Sequence, residues 1–160
     1  MATLFVRDIF GNYAAAEPEA VLLEAKRVIA RKFRRGRALT SPALAKEALI
    51  FELADREHEV FGMICLDNQH RIIESVELFR GTIDGASVFP REVVKTALDA
   101  NAAAVMFYHN HPSGVVEPSQ ADQQITQRLK QAFSLIEVRV LDHFIIGGIE
   151  AYSFSESGLL

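Results

Sequence analysis

Residues 109–122 read His109-Asn110-His111-Pro112-Ser113-Gly114-Val115-Val116-Glu117-Pro118-Ser119-Gln120-Ala121-Asp122. The apolar run Ala103 to Tyr108 leads into this stretch and predicts a buried strand, while Ser119 opens a helix to about Phe133. The order is therefore strand, turn, helix. Two histidines at i and i+2 where a strand ends project to one side, because strand side chains alternate. Pro112 and Gly114 turn the chain, and Asp122 arrives in the first turn of the helix, eleven residues after His111. Two imidazoles and one carboxylate can share one metal ion and leave a fourth tetrahedral position for water, as in catalytic zinc sites. Zinc suits such ligands best, with other divalent ions left open. The same letters also fit a metal-free reading, since Ser119-Gln120-Ala121-Asp122 is a helix-capping pattern and a histidine pair beside a turn can simply be solvated.

Outward from this stretch the chain alternates short apolar runs with helices. Val60 to Leu66 predicts a buried strand, Asp67-Asn68-Gln69 a turn, and His70 to Phe79 an antiparallel return. Arg80 to Gly85 reads as loop or irregular strand. A helix is expected from Pro90 to Ala100 with Val93, Val94, Ala97 and Leu98 inward, and Val138 to Ile146 and Ala151 to Phe154 are two more strands around Gly147-Gly148. Before residue 57 the texture is helical. One helix runs from Pro18 towards Arg35, with Val21, Leu22, Ala25, Val28, Ile29 and Phe33 on a stripe and Gly36 as its stop. A second begins at Ser41-Pro42 and carries Leu44, Ala48, Leu49 and Phe51 inward. We expect a helical hairpin over 1–57 as an appendage to an α/β domain over 58–160.

The chain has 160 residues, 49% of them hydrophobic and 24% charged, which suits one soluble globular body with a small addition. The single cysteine, Cys65, excludes an intramolecular disulfide and a multi-cysteine metal site; it reads as inert packing in a strand. The longest central apolar run, Ala102 to Tyr108, has seven residues where a membrane span needs about 20. With no secretory signal in the first residues, the expectation is a cytoplasmic protein without a membrane partner. The net charge of −4 hides a split: residues 1–57 carry 10 basic and 8 acidic groups, residues 58–160 carry 7 and 13. Lys26, Arg27, Arg31, Lys32, Arg34, Arg35 and Arg37 crowd seven positive charges into twelve residues. Arg31, Arg34 and Arg35 are the candidates for contact with nucleic acid or an acidic partner, against a solvated helix face as the plainer reading.

The complete spacing, His-x-His-Pro, six residues, Ser-x-x-Asp, resembles the signature of the JAMM (MPN+) metalloprotease family at His109, His111, Pro112, Ser119 and Asp122. That family also carries Glu-x-x-Gly at the start of a buried strand, matched by Glu59-Val60-Phe61-Gly62. Glu52 and Glu57 compete for the glutamate's place, but only Glu59 has glycine three residues later. The His-Asn-His-Pro-Ser-Gly wording, Leu66-Asp67, Leu78-Phe79-Arg80-Gly81-Thr82 and Leu141-Asp142-His143 are similar to the RadC branch, over about residues 57–155. The resemblance implies a curved mixed β-sheet flanked by helices, an MPN or cytidine-deaminase-like α/β fold. It implies one zinc ion per chain on His109, His111 and Asp122, Glu59 as general base, Ser119 as oxyanion donor, and hydrolysis of an amide, peptide or isopeptide bond. His143 reads as a satisfied structural histidine and His70 as a turn residue. The insertions by which deubiquitinating relatives grip ubiquitin have little room here. RadC proteins usually precede this domain with a helix-hairpin-helix region, for which no paired Gly-x-Gly hairpin is seen before residue 57. The competing expectation is a DNA-repair-associated factor with an idle site, touching DNA or a partner through the basic helix; a small-molecule zinc amidohydrolase and a homodimer also stay open.

Overall fold

The computed structural model describes residues 3–32, 34–39, 41–81 and 88–160. It divides into two compact units, Met1–Lys32 and Phe33–Leu160. In the first, strands β1 (Phe5–Arg7) and β2 (Tyr13–Ala15) pair as an antiparallel hairpin, followed by helix α1 (Pro18–Lys32). Asp8 shapes the connection by accepting the Phe10 and Asn12 amides at 2.8 and 2.9 Å. None of the described residues of this unit is buried. The hairpin was not foreseen, and α1 stops at Lys32 rather than Arg35; Phe33 lies outside the described residues.

The second unit contains α2 (Pro42–Leu53), β3 (Val60–Leu66), β4 (Ile72–Arg80), α3 (Pro90–Asp99), β5 (Ala104–Asn110), α4 (Gln120–Ser134), β6 (Arg139–Gly147) and β7 (Glu150–Ser153). The strands form one sheet in the order β4-β3-β5-β6-β7. β5 and β6 run parallel, as their crossover through α4 requires, and the other pairs are antiparallel. The sheet is mixed, as expected. Both faces are covered, so β3 and β5 are buried along their whole length. α2 covers one face, where Ala45, Leu49 and Leu53 pack with Ile64, Leu66, Met106, Tyr108 and Phe144. The other face carries Val93 and Ala97 of α3 and Leu129 and Phe133 of α4 against Met63, Cys65, Val105 and Phe107. Among the described residues, no helix is long and apolar enough to cross a membrane.

Several boundaries differ from expectation for physical reasons. The sequence reading grouped α2 with α1 in a hairpin over 1–57; the two helices fall in different units, and α2 belongs to the sheet-containing one. Each fully buried leucine on α2 contributes about 1.5–3 kcal/mol to that packing. β5 continues to Asn110, two residues past its expected end, because its ladder with β6 extends to Asn110↔Ile146. Leu98 of α3 points outward instead of inward. Of the loop expected over 80–85, residues 82–85 lie outside the described residues.

Candidate metal centre

β5 ends between β3 and β6, and α4 begins beside that end. The ligand atoms of His109, His111 and Asp122 lie within 4.8 Å of one another there. His109 Nε2 and His111 Nε2 face each other at 3.0 Å, and the Asp122 oxygens lie 3.2 Å from the first and 3.5 Å from the second. Tetrahedral ligands at zinc–ligand distances near 2.0–2.1 Å are themselves about 3.3 Å apart. The three side chains therefore match the spacing that such an ion needs. His111 Nδ1 is 2.6 Å from the Val115 carbonyl, which can only accept, so that nitrogen carries a proton and the neutral ring keeps its lone pair on Nε2. The donor set fits a divalent cation.

The turn that carries these groups is held from both sides. Ser119 caps α4: its Oγ accepts the Asp122 amide at 3.1 Å, while the Ser119 amide donates to Asp122 Oδ2 at 2.8 Å. The Ser119 hydroxyl also donates to Oδ2 at 2.6 Å, so the capping box and the metal reading use the same two residues. Gly147 at the end of β6 leaves room for the loop, since a Cβ there would lie 2.4 Å from the Gly114 carbonyl oxygen.

Burial by itself would raise the Asp122 carboxyl, but His109, His111 and Ser119 outweigh it and hold it well below the usual carboxylate range. The hydrogen bond with Asp122 raises His111, burial opposes it, and the Val115 carbonyl and the charges of Asp122 and Glu59 add to the rise. A negative field thus keeps this end of β5 attractive to a cation.

Glu59 immediately precedes β3. The antiparallel register of β3 and β5 ends at Phe61↔His109, which brings Glu59, two residues earlier, to the end of β5 where the two histidines lie, and its charge acts on His111. Asn110 fixes it there: its Oδ1 accepts the Val60 amide at 2.8 Å and its Nδ2 donates to the His58 carbonyl at 3.1 Å, on either side of Glu59. The Glu59 carbonyl accepts from the Gly81 amide at 2.8 Å. Gly62 follows from packing, because a Cβ at that position would sit 2.1 Å from Cζ of Tyr108. The competitors lie elsewhere. Glu52 is on α2, raised by partial burial and by Glu77, and Glu57 is exposed.

His143 is completely buried on β6, paired with Phe107. Burial, then the neighbouring His109, pushes its ring well below the ordinary histidine value. It is a satisfied histidine, as expected, but one of its partners is His109 itself. Sequence reading missed this link, together with Asn110 and Thr126. Thr126 follows Asp122 by four residues, a helical spacing that puts both on one face; the others required the strand register. The basic candidates divide between the units: Arg31, in the first, lies 3.2 Å from Glu24, while Arg34 and Arg35 are exposed in the second.

A family model described as RadC-like JAB domain matches residues 39–159. A UPF0758 protein of Shewanella denitrificans is 52% identical over 150 residues, covering 94% of this chain and 67% of the relative. A UPF0758 protein of Shewanella amazonensis is 54% identical over 147 residues, covering 92% and 64%. The chain spans about two thirds of the length of these relatives. The mixed sheet flanked by helices, the His-His-Asp group at the end of β5 and the match over most of the chain agree: this chain belongs to the RadC-like JAB domain family.

Proposed function

We propose that this chain is a metal-dependent hydrolase of an amide, peptide or isopeptide bond, with zinc held by His109, His111 and Asp122. The observation that carries the reading is the convergence of two imidazole Nε2 atoms and one carboxylate at the end of β5. Zinc bound there supplies Lewis acidity to a carbonyl and brings the pKa of water towards about 7. The Glu59 carboxylate takes the proton from the attacking water and delivers it to the leaving nitrogen. Asn110 holds the backbone of His58 and Val60 on either side of Glu59, and the Gly81 amide holds the Glu59 carbonyl, while the side chain does this. The Ser119 hydroxyl, at rest on Asp122 Oδ2, turns to the carbonyl oxygen as that atom gains negative charge. Val115 and Ile149, both exposed, sit on segments that meet at Gly114 and Gly147 and offer apolar contact to a residue beside the cleaved bond.

The test is hydrolysis of a peptide and isopeptide library by zinc-loaded protein. Glu59→Gln should keep the metal and the fold while cleavage falls by about 10²–10⁴-fold. Cleavage at the wild-type rate, or loss of the metal with the glutamate, would overturn the role given to Glu59.

A further inference from the structure

A chain of buried hydrogen bonds leads away from the metal-facing side of His109. Its Nδ1 lies 2.8 Å from His143 Nε2, His143 Nδ1 lies 2.6 Å from Thr126 Oγ1, and Thr126 Oγ1 lies 2.5 Å from the Asp122 carbonyl oxygen. His109, His143 and Thr126 are all buried. We propose that Thr126 and His143 are positioning residues that lock His109 in the one tautomer able to bind a metal through Nε2. The inference rests on the metal reading above and names the part of the protein that prepares the site.

The proton positions follow from what each atom can do. A backbone carbonyl only accepts, so the single Thr126 hydroxyl proton is directed at the Asp122 oxygen. Thr126 Oγ1 is then an acceptor, and His143 must present a proton from Nδ1. A neutral imidazole with a proton on Nδ1 has a lone pair on Nε2. His109 therefore donates from Nδ1, and in the neutral ring its own Nε2 keeps the lone pair that faces His111 and Asp122. The relay begins on the backbone of one ligand, Asp122, and ends on the ring of another. It spans β5, β6 and the first turns of α4, so both ligands depend on the same docking of α4 on the sheet. Metal-bound histidines commonly depend on what their second nitrogen meets; here it meets another histidine, whose own orientation has to be specified by Thr126.

The experiment has two readouts. Long-range ¹H–¹⁵N correlation spectra of histidine-labelled, metal-free protein at pH 8 should show His109 and His143 both protonated at Nδ1, whereas His143 protonated at Nε2 overturns the relay. Zinc affinity by chelator competition should fall about 10–100-fold in Thr126→Val, which keeps the shape and removes the hydroxyl, and recover in Thr126→Ser. A folded Thr126→Val chain that binds zinc as the wild type does also overturns it. Absence of zinc binding by the wild type would instead defeat the metal reading, and the spectra of the metal-free protein still decide the tautomer.

Discussion

His109, His111, Ser119 and Asp122 could be recognised in the sequence because they lie within fourteen residues and their spacing follows from a strand, a turn and a first helical turn. Asn110 and His143 carry no such mark. Their roles depend on which groups arrive beside them, the Val60 amide from 50 residues before Asn110 and the His109 ring from 34 residues before His143, and only the sheet register supplies that. Cys65 was legible for the opposite reason, since a cysteine centred in an apolar strand has nowhere to go but the core. Burial, helped by the charge of Glu74, pushes its thiol up to about 12. At pH 8 the thiol then stays protonated and is a poor nucleophile. Folded protein at that pH should resist a thiol-alkylating reagent that labels it fully in denaturant; stoichiometric labelling of the folded chain would contradict the packing.

At the scale of elements, the long runs were read most securely, because β3 and β5 are apolar throughout and both faces of the sheet are covered. Ends were less legible: β5 extends through Asn110 because of a neighbour, β6, rather than any signal of its own. The three-residue strands β1 and β2 are exposed throughout, so neither alternation nor burial marks them. The packing of β3 on β5 gives a direct test. Gly62→Ala puts a methyl group where Tyr108 already lies, and should lower stability by about 1–3 kcal/mol, read from the denaturant midpoint. An unchanged midpoint would show that the ring yields freely and that packing does not account for the glycine.

For the whole molecule, the edge between the two compact units falls at Lys32/Phe33 rather than at residue 57, and the stretch before residue 57 holds the β1–β2 hairpin as well as helices. Periodicity shows that α2 has an apolar face without naming what covers it, and here it covers the sheet through Ala45, Leu49 and Leu53. Since none of the described residues of the first unit is buried, a chain starting at Phe33 should fold with a melting temperature within about 4 °C of the parent. A chain starting at residue 58, without α2, should fail to fold. Melting curves of the two separate a boundary at 33 from one at 58. The claim on which the functional account depends is that the end of β5 holds a metal ion, and the most direct test is the metal content of wild-type protein beside Asp122→Ala, both shown folded by circular dichroism. We expect about one zinc per wild-type chain and almost none in Asp122→Ala; a folded wild-type chain that retains no metal after equilibration with zinc would contradict it.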